Sequence, residues 1–477
     1  MTTVVVILHF LLVLSFTTRI LLRDDLSPPG RLAWFIVLNL LPYFGVIVYF
    51  LFGEIDIGHR AVKRHNKIFA DINANAAEFM GEKASVENLI EPLYRPGFRY
   101  AGSINGFYTV AGNQAEVMAD SDATITRLIA DIDAATDHVH VLFYIWLNDN
   151  TGNAIAQALI RAAKRGLTCR AMADGLGSRR LVKSTLWQDM QAAGVNLAVA
   201  LSFRNLISTL FHSRFDLRNH RKIIVIDASI TYCGSRNSAD PEFLPKAKYA
   251  PWVDIMLRFQ GPVVAQNQLL FASDWLQASG DSLDVFKFKA NAVTGGFPAQ
   301  VMGVGPTERR GATPQLFANL IASAETDLTI STPYFVPDAT LLESLCAAAY
   351  RGVRVRLIYP KRNDSWVVSA ASRSYYHQLL DAGCIIYEFK AGLLHAKTLT
   401  IDNCISLIGS SNLDLRSFDL NYENNILLQD EAITAAIRER QQSYIADSEL
   451  VELSAVLKWR YSRRIWNNII ATIGPIL

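Results

Sequence analysis

Two stretches of the 477-residue chain carry the same polar residues at the same spacing. His220 and Lys222 are followed by Asp227 and, after a six-residue gap, by Gly234, Ser235 and Asn237; His395 and Lys397 are followed by Asp402 and, after the same gap, by Gly409, Ser410 and Asn412. Imidazole titrates near neutrality and can serve as nucleophile, acid or base. Lysine brings a positive charge, asparagine an amide donor and serine a hydroxyl, and a tight glycine leaves backbone N–H groups accessible to an oxyanion. Two such sets facing each other would enclose a phosphate. His220 and His395 would do the covalent and proton-transfer chemistry, while Lys222, Lys397, Asn237 and Asn412 would hold the phosphoryl oxygens, with Ser235 and Ser410 as further phosphate contacts. With two lysines and two amides opposite the charge, neither a metal nor another cofactor is required.

In NHRKIIVID and LLHAKTLTID the apolar, β-branched run after each lysine ends in aspartate and reads as a strand. Alternate residues share a strand face, so each histidine points the same way as its lysine. The runs ASITYCG and NCISLIG return as neighbouring strands and bring Gly-Ser-x-Asn back beside them. Asp227 and Asp402 complete the catalytic motifs, but each lies seven residues from its own histidine. That is too far along a strand for a hydrogen bond, so they are expected to stabilise the motif turns. The acids on the following strand, Asp254 in PWVD and Glu423 in NYEN, are better placed to accept from an imidazole Nδ1–H and fix its tautomer.

The repeat extends beyond the motifs. Ala162-Ala163-Lys164-Arg165-Gly166 ahead of LTCRAMAD matches Ala348-Ala349-Tyr350-Arg351-Gly352 ahead of VRVRLIYP, and Tyr144 in HVLFYIW matches Tyr334 in LTISTPYF. Each half reads strand, helix, strand, helix, strand, motif hairpin and a further strand, WVDIMLRF or ENNILLQ. Such alternation predicts an α/β fold with helices covering a sheet. Two homologous α/β lobes, 116–290 and 291–450, are expected to pack as a pseudo-dimer around one site. The pattern HxKxxxxDxxxxxxGSxN, present in full twice, resembles the signature of the phospholipase D superfamily, and the resemblance implies the same two-lobed arrangement.

The hydrophobic fraction, 51%, is high for a wholly soluble protein, and its source is the N-terminus. Residues 1–18 carry no formal charge, and Leu32 to Gly53 form a second uncharged run of 22 residues. At about 1.5 Å per residue the second run is long enough to cross a hydrocarbon core of roughly 30 Å, with Pro42 and Gly45 marking a kink. The first spans too if it continues past Arg19. A cleaved signal peptide is the alternative, opposed by the absence of a basic start and of an A-x-A site. Residues 1–58 are therefore expected as a transmembrane hairpin and 59–115 as a linker and partly helical lead-in. Arg19, Arg23 and Arg31 lie between the runs, against Arg60, Lys63, Arg64 and Lys67 after them. This gives a multi-pass membrane protein, its catalytic body on the cytoplasmic face by a narrow margin.

Five cysteines without C-x-x-C spacing suit buried thiols in a reducing compartment and supply no zinc site. Residues 451–477 interleave Lys458, Arg460, Arg463 and Arg464 with Trp459, Tyr461, Trp466, Ile469 and Ile470. They read either as a basic amphipathic helix in an anionic lipid interface or as a last helix docked on the protein itself. A net charge of +2 with no long basic stripe argues against nucleic acid as partner. His138 and His140 alternate on a strand without a third ligand and read as structural. Arg416, just past the second motif with Asp414, would hold either a lipid phosphate or a local carboxylate.

The N-terminal run LLPYFGVIVYFLFGE, the two complete motifs, and the strings STPYFVPD and SSNLDLRSF narrow the resemblance to bacterial cardiolipin synthases of the phospholipase D type, over essentially the whole chain. That resemblance implies a transphosphatidylation, with phosphatidylglycerol as donor and acceptor, membrane lipids as partners and a covalent phosphatidyl-histidine between two half-reactions. Members of the family generally attack from the N-terminal motif, which makes His220 the nucleophile and His395 the general acid and then base; the sequence itself does not break that symmetry. A hydrolase using water or a phosphatidylserine synthase using serine would employ the same residues. A non-enzymatic membrane scaffold is disfavoured because no motif position is lost.

Overall fold

The computed structural model describes residues 2–54, 57–201 and 216–472; segment 202–215 of the expected first lobe and 473–477 of the expected C-terminal segment lie outside the described residues. Among the described residues, 15 strands form one hydrogen-bonded path whose halves are copies of each other, and a sixteenth, Arg218–Asn219, pairs beside it with Asn421–Gln429. In the first half the order is Asn196–Ala200, Thr168–Asp174, His138–Phe143, Lys222–Ile226, Ile230–Gly234, Met256–Gln260 and Val110–Val117. In the second it is Phe297–Val304, Asn421–Gln429, Ile405–Gly409, Thr398–Ile401, Asp327–Ser331, Arg354–Pro360 and Ile385–Phe389, with Ser448–Leu450 at the edge. In each half three parallel strands are joined through helices, and beside them lie the antiparallel motif hairpin and two further antiparallel strands. The first half opens at Val110–Val117, ahead of the boundary read at residue 116. Residues 59–115 also hold three helices, His59–Asn75, Lys83–Leu89 and Arg95–Asn105.

The halves join where Val110–Val117 pairs antiparallel with Phe297–Val304 across an irregular register. From there the path folds back on itself, for Cys233 Sγ lies 3.7 Å from Ile408 O although four strands separate theirs in the path. Between the facing halves, Ile223, Val225 and Leu257 pack with Val301, Ile408 and Ile426. The long helices Val263–Ser279 and Glu431–Ala446 close this inner layer through Leu269, Leu270, Ile437 and Tyr444. On the outer face of the first half, Ile224 and Ile226 meet Ile155 and Leu159 of a helix; on that of the second, Leu399 and Ile401 meet Leu341 and Leu345 of another. The motif strands are thus covered on both faces, which is why they read as continuous apolar runs and why their ends are rigid supports.

Each motif turn is tied down by its aspartate. Asp227 and Asp402 adopt left-handed backbone, φ 52° and 49°. Asp227 accepts from the backbone N–H groups of Thr136, Asp137 and His138 at 2.8, 2.8 and 2.9 Å. Asp402 does the same with Glu325, Thr326 and Asp327 at 2.8, 2.8 and 2.9 Å. Burial raises both carboxyl pKa values, but these donors outweigh it and hold each below the usual carboxylate range. The two aspartates therefore sit at the far end of their strands from the histidines, fastening each turn to the start of the adjacent strand.

The N-terminal unit, taken by itself, corrects one expectation. The run Leu32 to Gly53 is not one continuous helix: it is divided among Pro28–Leu40, Pro42–Val48 and a π-helical turn, Tyr49–Gly53. Among the described residues no helix is long and apolar enough to cross a membrane. The break falls at Leu41, because Pro42 lacks the N–H that would continue the helix and restricts the residue before it. Gly45 lets the chain double back, since a Cβ there would lie 2.9 Å from Val37 O and 3.1 Å from Leu38 Cα. Ile20, Leu38 and Tyr49 make a small core, while Leu8, Phe10, Leu14, Phe35, Phe44 and Phe50 remain exposed.

Replacing Asp402 by alanine leaves three backbone donors without their carboxylate. A loss of about 1–3 kcal/mol is expected, read as a lower urea midpoint for the full chain. Asp227→Ala is expected to behave alike. An unchanged midpoint in both variants would contradict the fastening role.

Candidate active site

Two short parallel bridges cross between the halves at the motif ends. Leu393–Leu394, just before His395, pairs with Trp252–Val253; Arg218–Asn219, just before His220, pairs with Asn421–Tyr422. The bridges continue one residue into each motif, with His395 N donating to Val253 O at 2.8 Å and His220 N to Tyr422 O at 2.9 Å. Each histidine is thereby set beside the acid that follows its bridging partner. His220 Nδ1 lies 2.8 Å from Glu423 Oε2 and His395 Nδ1 lies 2.6 Å from Asp254 Oδ1. Every imidazole is oriented by the carboxylate of the opposite half. With Nδ1–H donated to the acid, Nε2 is left as the reacting nitrogen of both rings.

Around these pairs the polar groups are buried and nearly all engaged. Glu423 is wholly enclosed and accepts from Ser417 Oγ at 3.0 Å, Asn421 Nδ2 at 3.2 Å and Ser410 Oγ. Asp254 accepts from Ser235 Oγ at 2.6 Å. Lys222 Nζ donates to His220 O at 2.5 Å and Lys397 Nζ to His395 O at 2.6 Å, so each ammonium stands beside its own histidine. Aromatic rings hold the imidazoles from the side: Tyr144 meets His220 edge-on with centroids 4.8 Å apart, and Trp252 meets His395 at 4.6 Å.

Desolvation dominates the electrostatics. Burial drives the His220 imidazole down to about 4, against the opposing pull of Glu423, and lowers His395 as well. Burial also brings Lys222 down to about 7 and Lys397 to about 8. The two acids stay ionised despite burial, Asp254 through His395 and Glu423 through His220. With both imidazoles neutral, two ammoniums balance two carboxylates. A phosphodiester monoanion entering this enclosure adds one negative charge, which favours a proton on one imidazole and keeps the lysines charged.

The predicted residues fall into four groups. His220, Lys222, His395, Lys397, Asp254 and Glu423 come together. Asp227 and Asp402 remain at the distant turns. Ser235 and Ser410, expected on the phosphate, are instead bound to the orienting carboxylates, and their backbone N–H groups donate to Ile255 O and Asn424 O, both at 2.9 Å, rather than standing open to an oxyanion. The motif glycines serve close strand approach: a Cβ on Gly234 would lie 2.3 Å from Ile255 O, and one on Gly409 2.2 Å from Asn424 O. Asn237 commits Oδ1 to Ile145 N at 3.2 Å, so its NH2 is the end left to donate. Asn412 Nδ2 donates to Ser417 Oγ at 3.2 Å, and its buried Oδ1 has no partner. A half-turn of that carboxamide exchanges the two ends.

Sequence reasoning missed the exchange of acids between halves, because spacing alone cannot distinguish a histidine's own half from the other. Trp252 and Ser417 were missed too, although Trp252 stands two residues before Asp254 in the quoted string PWVD. His138 and His140 stack on each other at 4.5 Å and His140 stacks on Phe271, while the His138 backbone N–H serves the Asp227 turn.

Comparison with known proteins gives a consistent picture. The family described as "Cardiolipin synthase, PLD-like domain" matches residues 128–266 and again 317–445, and "Phospholipase_D-nuclease N-terminal" matches residues 10–54. The chain is 34% identical over 481 residues to cardiolipin synthase A of Serratia proteamaculans (strain 568), a match covering 98% of this chain and 97% of that one. Identity to cardiolipin synthase A of Edwardsiella ictaluri (strain 93-146) is also 34%, with the same coverage. The crystal structure of phosphatidylserine synthase from Haemophilus influenzae Rd KW20 is similar in fold, with a TM-score of 0.59 at 15% identity over 80% of this chain and all of that one.

If both rings act on one phosphorus, His220→Ala and His395→Ala should each abolish turnover of a phosphodiester substrate, and the double variant should be hardly worse than either, because groups acting as a unit are non-additive. Glu423→Gln and Asp254→Asn retain shape but lose the fixed tautomer, and a fall in kcat of roughly 10³- to 10⁴-fold is expected for each. Substantial turnover in a single histidine variant would refute the shared site.

Proposed function

The chain belongs to the phospholipase D-like cardiolipin synthase family, and we propose that it makes cardiolipin by moving a phosphatidyl group from one phosphatidylglycerol to another, releasing glycerol. The observation that carries this reading is the pair of exchanged imidazole–carboxylate contacts, which leaves two Nε2 atoms and two ammoniums for one phosphodiester.

In the first half-reaction the neutral Nε2 of His220 attacks phosphorus. The bond to the glycerol oxygen breaks as His395 gives that oxygen its proton, and a phosphatidyl-histidine remains. In the second, the primary hydroxyl of another phosphatidylglycerol gives its proton to His395 and attacks the same phosphorus, releasing His220. Lys222 and Lys397, with the Asn237 and Asn412 amides, stabilise the charge on the phosphoryl oxygens through both transition states. Low pKa suits His220 to attack, since the ring is uncharged at neutral pH. For His395 the substrate's own charge supplies the compensation that lets it hold a proton. The choice of His220 as nucleophile follows the family's general use of its first motif.

A lipid substrate places this work at a bilayer surface. The exposed apolar side chains of the N-terminal unit support membrane association, and the cysteines, all free among the described residues, support a body in a reducing compartment at the cytoplasmic face of the inner membrane. Asp414 is buried and raised to about 6 by desolvation, beside Arg416, which favours the local-carboxylate reading of that arginine.

Purified full chain given glycerol-labelled phosphatidylglycerol should form cardiolipin and free glycerol in equal amounts. Phosphatidic acid as the main product would show a hydrolase. Because one phosphodiester replaces another, the equilibrium constant should be near unity, and excess glycerol should return cardiolipin to phosphatidylglycerol.

Rate against pH gives a separate check. The lysines of the empty site lose their protons near 7 and 8, not near 10.5, so kcat/KM should already be falling at or below about pH 8. In kcat, read with the anion bound, the same limb should lie at higher pH. A kcat/KM that stays level to pH 10 would contradict charged lysines in a desolvated site.

A further inference from the structure

The last described helix, Tyr461–Thr472, docks by only one of its faces. Ile470 packs against Val336, Ala370 and Ala371, and so seats it on the helix Trp366–Ser374. The opposite face is apolar and open: Tyr461 is 80% exposed, Ile465 58% and Ile469 53%. Trp466, 49% exposed, stacks on Trp366, 62% exposed, with centroids 5.9 Å apart and planes within 17°. Two tryptophans presented side by side on solvent are costly unless something covers them, and tryptophan favours the boundary between apolar and wet surroundings.

Charge identifies what covers them. The segment from Leu453 to Thr472 contains Lys458, Arg460, Arg463 and Arg464 and no acidic residue. Arg460 and Arg464 are exposed on the helix and its approach, and Arg463 lies over the Trp459 ring at 3.9 Å. Apolar and aromatic side chains flanked by arginine fit an anionic lipid interface better than an ordinary protein partner.

Position ties the patch to catalysis. Asp364, two residues before Trp366, accepts from Tyr334 Oη at 2.7 Å and from Lys246 Nζ of the first half at 2.5 Å, and its charge acts on Lys397. Val336, beneath the helix pair, belongs to a short strand paired with Leu413–Asp414, directly after Asn412 of the second motif. Leu244, two residues from Lys246, is 76% exposed on the same rim. The open tryptophans are thus linked to the second motif through one acid and one short strand.

We propose that Trp366, Trp466, Ile465, Ile469 and Tyr461, with Arg460 and Arg464, form a lipid-docking face that seats the mouth of the site on an anionic phospholipid surface. It is a contact additional to the N-terminal unit. The proposal rests on the reading that the substrates are lipids.

Full-length protein in detergent provides the test. Trp366→Ser/Trp466→Ser and, as a variant that leaves the helix packing alone, Arg460→Glu/Arg464→Glu are assayed on mixed micelles of varied phosphatidylglycerol fraction and on dihexanoyl phosphatidylglycerol below its critical micelle concentration. Each variant should need about tenfold more phosphatidylglycerol at the micelle surface for half-saturation, with turnover of the monomeric substrate within about twofold of the parent. Unchanged half-saturation in both variants, or an equal loss on monomeric substrate, would overturn the docking face. Brominated phosphatidylglycerol in vesicles should also quench the parent more than Trp466→Phe; equal quenching counts against it. If the parent makes no cardiolipin from either substrate, the functional reading fails while the quenching result still decides the lipid contact.

Discussion

The site depends on the exchange of a carboxylate between the two halves. Neither histidine finds its acid within its own motif hairpin. Two short parallel bridges carry Glu423 to His220 and Asp254 to His395, and each bridge is anchored by a backbone bond from the histidine itself. A half-chain alone would place an imidazole and a lysine on a strand end with no group to fix the ring. Removing an imidazole would leave a buried carboxylate short of a donor, at a cost of about 1–3 kcal/mol or more. The fold therefore couples catalytic geometry to the packing of the halves, and the buried inner layer between the sheets is a condition for both.

Ser235, Ser410 and Ser417 extend the same logic outward. Each spends its hydroxyl on an orienting carboxylate, so these acids have few lone pairs left to swing toward an incoming substrate. Lysines bound to the carbonyls of their own histidines are positioned before any anion arrives. An electrostatic site arranged in advance need not reorganise at the transition state, which is where such a site gains its advantage over water.

Much of this was legible in the chain. Duplicated spacing pointed to one site in two halves, and strand periodicity put each histidine beside its lysine. Seven-residue separation correctly removed Asp227 and Asp402 from the histidines, and position on the following strand singled out Asp254 and Glu423. What remained hidden depended on the third dimension. Spacing does not say which half an acid will serve, nor that Ser235 and Ser410 will be claimed by carboxylates before a phosphate can reach them. At the N-terminus an uncharged run long enough to span reads as one helix kinked at Pro42 and Gly45, but the break there is complete: Pro28–Leu40 and Pro42–Val48 are separate helices. Hydropathy measures what a segment can be buried in; local backbone chemistry decides whether it remains one helix.

Burial of the reacting groups also bears on the choice between a lipid hydroxyl and water. His395 is 2% exposed and Lys222 is fully enclosed, so the reacting groups are shielded from bulk water. Where the mouth of the site meets lipid, the local concentration of headgroup hydroxyls rises and that of bulk water falls, which favours transfer over hydrolysis without any residue dedicated to excluding water. The same enclosure that lowers the lysine and histidine pKa values thus acts on the partition between products. Desolvation is one physical cause with two consequences: it makes the imidazole a free base, and it leaves the lipid surface as the medium from which the second substrate comes.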